Sequence, residues 1–127
     1  MMIDKHMDLT QSEERLAAII WREGAISSPE LATLALQELD WKKSTTYTVL
    51  KKLCEKGVFR NEYAKISIVL TRDELISMQS RRYVEGTFGG SLPKFIVSFF
   101  DGKKLTTEQA DELISLIKDH RGGDDSG

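Results

Sequence analysis

The sequence predicts a mainly α-helical fold that carries one small β-hairpin. Apolar residues recur three and four positions apart along most of the chain, which is the spacing of amphipathic helices. The period changes to two near residues 58–70, and such alternation is typical of paired strands. Two capping-box sequences, Thr10 with Glu13 and Thr106 with Gln109, mark helix starts.

The first two helices follow each other closely. The first begins at Thr10 and ends at Gly24, where a glycine lets the chain leave the helix. The second begins with Ser28 at the cap and Pro29 at the first helical position. The intervening residues 25–27 leave room for only a very short strand.

The third predicted helix, residues 44–56, has two chemically different faces. At about 100° per residue, one arc collects the inward-facing side chains of Thr46, Tyr47, Val49, Leu50, Leu53 and Cys54. The other arc collects hydroxyl and ammonium groups, on Thr45, Thr48, Lys51, Lys52 and Lys56. Short hydroxyls can approach base edges in the major groove of DNA, and ammonium groups can meet phosphates. An ordinary solvated helix face has the same composition, so this segment alone leaves both interpretations open.

The charge of the chain is unevenly distributed. The net charge is −2, but residues 42–65 hold seven Lys or Arg and two Asp or Glu, a balance of +5. Residues 1–41 hold three basic and eight acidic side chains, and residues 66–127 hold eight and ten. A local basic segment of this kind is the expected electrostatic signature of phosphate contact.

Residues 58–63 and 66–70 are predicted to form two strands that turn near Ala64 and Lys65. Helix, short strand, helix, helix and hairpin is the element order of a winged helix-turn-helix. In that fold the third helix enters the major groove and the hairpin, or wing, flanks it. We therefore expect residues 1–71 to form an N-terminal DNA-binding domain.

Residues 72–121 are predicted to form a C-terminal helical dimerisation domain, followed by a disordered tail at 122–127. One helix is expected from residue 73 to about residue 84, with breaks at Gly86 and at Gly89-Gly90. About fifty helical residues can bury little apolar surface by themselves, and we therefore expect a homodimer that covers it. The alternative is that these helices pack against the winged helix of their own chain. The expected dimer contacts are Leu75, Met78, Phe95, Ile96, Phe99, Phe100, Leu113, Ile114 and Ile117.

Over residues 8–120 the chain resembles the penicillinase-repressor family of bacterial transcriptional regulators. The similar segments are residues 9–13, 19–21, 44–53 and 55–57, Trp41, the Gly89-Gly90 break, and residues 95–100 and 105–108. The resemblance implies a dimeric repressor on palindromic operators of resistance or metal-homeostasis genes. Together with the basic hairpin residues, it gives an expected DNA-binding set of Lys43, Ser44, Thr45, Tyr47, Thr48, Lys51, Lys52, Arg60 and Lys65.

Three departures from the family pattern limit what the resemblance implies. The wing offers only Arg60 and Lys65, offset by Glu62, so weak wing contacts are expected. The copper-responsive branch ends in a cysteine cluster, whereas this chain has one cysteine, so copper sensing is not expected. The beta-lactam branch is inactivated by proteolysis at an Asn-Phe bond, and the matching bond here is Ser98-Phe99. Derepression by a sensor protease and derepression by a small-molecule inducer therefore both stay open.

No catalytic, cofactor or metal constellation is recognisable, so an enzyme is not expected. His6 and His120 lie at opposite ends of the chain, and acid pairs such as Glu13-Glu14 diverge on a helix. No apolar run approaches the roughly 20 residues that span a bilayer, and the first ten residues lack a signal peptide's apolar core. We therefore expect a cytoplasmic protein with no membrane contact. The alternative function is a winged-helix protein-interaction module without direct DNA binding.

Overall fold

A computed structural model of the chain describes residues 8–122 and confirms a mainly α-helical fold with a small β-sheet. The elements in chain order are α1 (Gln11–Glu23), β1 (Ile26–Ser27), α2 (Ser28–Leu39), α3 (Lys43–Glu55), β2 (Phe59–Glu62), β3 (Lys65–Ile68), α4 (Arg72–Phe88), α5 (Leu92–Phe99) and α6 (Thr107–Asp119). The expected tail at 122–127 lies outside the described residues except for Gly122.

The chain divides into two compact units, Met1–Ser91 and Leu92–Gly127. Helix α4 therefore belongs to the first unit, although the sequence suggested a boundary after residue 71. Leu75 explains this difference, because its side chain is only 3 % exposed and lies in the core of the first unit. The functions assigned to residues 1–71 and 72–121 stay predictions.

The core of the first unit is formed by the inward faces of α1, α2 and α3 and one face of the sheet. Its largest fully buried side chains are Phe59, Leu16, Ile20, Leu31, Leu50, Leu53, Ile66, Val58 and Thr46. Burial of apolar side chains of this size contributes about 1.5–3 kcal/mol each. This shared core fixes the three helices relative to one another.

The three strands form an antiparallel sheet in the order β1-β3-β2. The turn between β2 and β3 consists of Tyr63 and Ala64, both with left-handed backbone angles (φ 53° and 61°). The predicted turn at Ala64 and Lys65 was therefore one residue late. Lys65 belongs to β3, where it pairs with Glu62.

Two further local predictions were wrong in detail. The N-cap of α2 is Ser27, not Ser28: the Glu30 amide donates to the Ser27 hydroxyl, and the Glu30 carboxylate accepts the Ser27 amide. Gly86 does not end α4, which continues to Phe88 and ends at Gly89 with a left-handed φ of 60°. A glycine inside a helix costs only about 1 kcal/mol, which the rest of α4 outweighs.

Trp21 connects α1 to the segment that follows the wing. Its indole N–H donates to the carbonyl oxygen of Leu70 at 2.9 Å. Its ring lies 5.5 Å from the ring of Phe59, and the guanidinium of Arg72 lies 5.1 Å from its centre. Helix α1, β2 and the start of α4 are therefore held by one aromatic side chain.

A buried ion pair joins the start of α1 to the end of α3. The carboxylate of Glu13, only 2 % exposed, accepts the Thr10 amide at 2.9 Å and the Lys56 ammonium at 2.6 Å. Lys56 also donates to the carbonyl oxygen of Asp8 at 2.8 Å. Burial acts to raise the pKa of Glu13, but the hydrogen bonds from Lys56 and Thr10 outweigh it, so the pKa is lowered.

The second unit is described by itself. Helix α6 begins with a capping box in which Thr106 and Gln109 exchange hydrogen bonds, as the sequence predicted. Neither α5 nor α6 has a buried residue, although both carry large apolar side chains. None of the helices within residues 8–122 combines the length and apolar character needed to cross a membrane.

We predict that Glu13→Gln lowers the free energy of unfolding by about 1–3 kcal/mol at pH 7, because Lys56 loses its charged partner while the glutamine retains the capping box. The pKa of Glu13 is lowered in the folded state. The ion pair therefore stabilises the protein at pH values above the pKa of an unfolded-state Glu, which is about 4.3. This contribution disappears as the pH falls through the folded-state pKa. Urea unfolding at pH 7 and near pH 2 would measure both effects.

The matched control is Glu14→Gln, which removes an exposed carboxylate from the same turn. This variant is expected to change the unfolding free energy by no more than about 0.5 kcal/mol. If the unfolding free energies of wild type and Glu13→Gln differed by the same amount at both pH values, this would contradict a stabilising ion pair between Glu13 and Lys56.

Candidate nucleic-acid interface

The outward face of α3 carries six of the seven predicted DNA-contacting side chains of this helix. Its buried face consists of Thr46, Val49, Leu50 and Leu53, which pack in the core of the first unit. The exposed positions are Lys43, Ser44, Thr45, Thr48, Lys51 and Lys52. The two arcs follow the predicted helical periodicity, with the helix starting one residue earlier than expected.

The hydroxyl groups on this face are differently engaged. The Thr48 hydroxyl donates to the carbonyl oxygen of Ser44 at 3.0 Å, which leaves its oxygen able to accept another hydrogen bond. Within residues 8–122, no hydrogen bond engages the side chain of Ser44 or Thr45. The exposed face therefore offers both donor and acceptor groups to an external partner.

The lysines of α3 divide into two groups. In the described part of the chain, no carboxylate lies within ion-pair distance of Lys43, Lys51 or Lys52. Lys43 lies 5.7 Å from the centre of the Tyr47 ring. Lys56, which the helical arc placed on the same exposed face, is instead paired with Glu13. Three unneutralised ammonium groups therefore remain on the outward face.

The start of α3 is a feature that sequence reasoning missed. Helices α1, α2, α4 and α6 each begin with a capping box, but the N-cap of α3 is Lys42, whose side chain makes no capping hydrogen bond. The first turn of α3 also contains no acidic residue. Unpaired amide groups and the helix dipole favour an anion at such a position. The signal was visible in the sequence as a lysine where a Ser, Thr, Asp or Asn would cap the helix.

Two residues of α3 lie between its faces. Tyr47 is half-buried and packs against the core, in agreement with its predicted place in the inward-facing arc. Cys54 is partly buried, and burial raises the pKa of its thiol. The side chains of Tyr47 and Cys54 line a recess of about 260 Å³ together with Leu50, Lys51 and Asn61. A phosphate contact by the Tyr47 hydroxyl stays a prediction.

The wing places two basic side chains at the surface with little net charge. Arg60 and Lys65 are both exposed. Lys65 is the cross-strand partner of Glu62, whereas Arg60 lies opposite Ser67. Opposite charges on paired strand positions offset each other. The structure therefore places both predicted residues on the wing but gives its tip no excess of positive charge.

Three packed helices, a short three-stranded sheet and an unneutralised basic face on the third helix define a winged helix-turn-helix protein. A sequence profile of the penicillinase repressor family matches residues 9–119. The chain therefore belongs to this family of transcriptional repressors, which are regulators and not enzymes.

Individual relatives are distant. The penicillinase repressor of Bacillus licheniformis is 20 % identical over 117 residues, which cover 89 % of this chain and 91 % of that protein. An "Uncharacterized 16.5 kDa protein in ptsI 3'region" of Latilactobacillus sakei is 31 % identical over 61 residues, or 48 % of this chain and 42 % of that protein. The resemblance found in the sequence is thus confirmed at the level of the family.

Proposed function

We propose that the protein is a homodimeric repressor that binds a palindromic DNA operator through α3. The observation that carries this proposal is the outward face of α3, where exposed hydroxyls lie beside ammonium groups that no carboxylate of residues 8–122 neutralises. The similarity to a penicillinase repressor supports an operator of antibiotic-resistance genes of the beta-lactamase type, or of related stress genes.

The side chains have different roles in this proposal. Ser44, Thr45 and Thr48 approach base edges or thymine methyl groups in the major groove. The cationic side chains contact phosphates and set the register on the duplex, without reading its sequence. The proposed phosphate contacts are Lys43, Lys51, Lys52, Arg60 and Lys65, with Tyr47 as a further hydroxyl donor.

The second unit supports the proposal of a dimer. Its helices carry large apolar side chains but have no buried residue, and Phe99 is 58 % exposed. Apolar surface of this extent is stable in water when another surface covers it. The proposed contacts with a second copy are Phe95, Ile96, Phe99, Phe100, Leu113, Ile114 and Ile117. Leu75 is omitted because it is already buried in the first unit, and Met78 packs partly against the same core.

Two-fold symmetry connects the dimer to the operator. A dimer with one symmetry axis presents two copies of α3, and identical half-sites then lie about one helical turn, or a multiple of it, apart. A palindromic operator follows from this geometry.

A second candidate function is a protein-interaction module. The mutual offset of Glu62 and Lys65 at the wing favours it, because a DNA-binding wing usually gains from positive charge. In the part of the chain that the structure describes, Lys43, Lys51 and Lys52 have no carboxylate partner, and this favours DNA over the protein-interaction module.

We further propose that the repressor is released by cleavage of the Ser98-Phe99 bond by a sensor protease, or by a small-molecule inducer. Both residues are exposed on α5, an eight-residue helix with no buried side chain. A short helix with so little packing in the single chain unfolds locally at low cost once the proposed dimer contact opens, and a protease requires such local unfolding.

Binding to duplex DNA is predicted to weaken steeply as salt concentration rises, because each phosphate contact releases condensed counterions. Lys52→Ala should weaken binding to all DNA sequences. It should also reduce the salt slope, which is the slope of log affinity against log salt concentration, by about one per protomer. Thr45→Ala should instead relax preference at one operator position. Mobility-shift titrations across a salt series measure all three effects.

Lys103→Ala is the matched control, since it removes an exposed lysine that lies outside the first unit. It should leave both affinity and salt slope unchanged. If the wild type showed a salt slope near zero and retained a protein partner in stoichiometric amount instead of DNA, the repressor proposal would be rejected. The protein-interaction module would then be favoured.

The full chain is predicted to sediment as a dimer at micromolar concentration, and Ile117→Glu should convert it to a monomer by burying a charge in the proposed interface. Leu36→Glu is the control, because Leu36 on α2 is 57 % exposed and Ile117 is 56 % exposed. That variant should remain dimeric. A monomeric wild type, or dissociation of both variants alike, would argue against the second unit as the dimer surface.

Cleavage is tested by mass spectrometry of the chain recovered from cells exposed to a beta-lactam. The expected products end at Ser98 and begin at Phe99, and Phe99→Ala should abolish them. Release of the operator with the chain still intact would show that an inducer acts without proteolysis.

A further inference from the structure

The tip of the wing carries a tyrosine, Tyr63, whose side chain is fully exposed. Tyr63 is 101 % exposed, the highest exposure among the large apolar side chains of the described residues. Within residues 8–122, no hydrogen bond or ring contact engages its side chain. The phenol therefore contributes no burial to the stability of the first unit.

The backbone at this tyrosine is also unfavourable. Tyr63 and Ala64 both have left-handed angles, which cost ordinary L-residues roughly 1–2 kcal/mol each. Two-residue hairpin turns with such angles favour Asn-Gly or Asp-Gly, which adopt them readily. The chain thus holds a large aromatic side chain at a position where a small residue would be more stable. Backbone strain of this kind often accompanies a functional contact.

The turn is rigidly supported. The amide of Ser28, at the start of α2, donates to the carbonyl oxygen of Ala64 at 2.8 Å. Next to it, Ser27 of β1 pairs with Lys65 of β3. Because both contacts anchor the side of the turn at Ala64 and Lys65 to β1 and α2, the phenol projects from a fixed base, which reduces the entropy lost when it binds a partner.

The position of the turn favours the DNA duplex as that partner. Tyr63 follows the end of α3 by eight residues, and eight extended residues reach at most about 29 Å. One turn of B-DNA is about 34 Å long, so the tip lies within one turn of the groove that the end of α3 would reach. Since Glu62 and Lys65 offset each other, attraction to phosphates is weak there, and a neutral contact is favoured.

We propose that Tyr63 is a DNA-contacting residue of the wing. Its ring packs against a deoxyribose at the edge of the adjacent minor groove, and its hydroxyl donates to a phosphate oxygen. This contact rests on the proposed binding of α3 to DNA. Because the phenol is neutral, it adds affinity without releasing a counterion, in contrast to the lysines of α3.

The test compares Tyr63→Asn, Tyr63→Phe, Lys52→Ala and wild type on one mixed-sequence duplex across a salt series. Tyr63→Asn keeps a residue that tolerates the left-handed turn. It should weaken binding roughly tenfold at every salt concentration and leave the salt slope unchanged, with unfolding stability equal to or above wild type. Tyr63→Phe should lose a smaller factor, because only the hydroxyl contact is removed.

The possible failures are distinguishable. Wild-type affinity of Tyr63→Asn, beside a weakened Lys52→Ala, would overturn the role of Tyr63 and leave the repressor proposal intact. Weaker binding that accompanies a drop in unfolding stability would also overturn it, since the side chain would then act only through the turn. A wild type that binds the duplex without salt dependence would remove the repressor proposal and this inference together.

Discussion

The position of α3 depends on the burial of its apolar side. Leu50 and Leu53 lie in the core against α1 and α2, so the helix cannot rotate without exposing them. The ion pair between Glu13 and Lys56 fixes the C-terminal end of the same helix. Breaking a buried pair by removing one partner is strongly unfavourable, so this contact resists displacement of the helix. Core packing and one ion pair therefore determine which side chains α3 presents to solvent.

The division among lysines follows from this arrangement. Lys56 has its charge neutralised inside the fold, whereas Lys43, Lys51 and Lys52 retain theirs at the surface. An interface that binds phosphates needs cations that are not already paired, because an internal carboxylate would compete with the DNA. The uncapped start of α3 also favours phosphate binding, since its amide groups and helix dipole attract anions.

The two units differ in how far their apolar side chains are buried. The first unit has a core of buried side chains, and the helices of the second unit have no buried residue.

Much of this fold could be predicted from the sequence because the signals are local. Helical periodicity separated the two faces of α3, and the capping boxes at Thr10 and Thr106 located the starts of α1 and α6. The predictions that were wrong depended on tertiary contacts. The partner of Lys56 lies 43 positions away, and the burial of Leu75 requires the packing of α4 on the first unit. The predicted turn is one residue late because Tyr63 and Ala64 are not the residues that usually favour such a turn. The helix break predicted at Gly86 does not form because the neighbouring residues continue α4 through it.

We propose that the protein meets a double strand at the hydroxyl and ammonium face of α3. The most direct measurement is an NMR titration of the ¹⁵N-labelled full chain with duplex DNA, in which each backbone amide reports its own environment. We expect the largest shifts on the amides from Lys42 to Lys52, with smaller shifts at the wing. Unchanged α3 resonances, with DNA-induced shifts confined to other elements, would contradict this proposal.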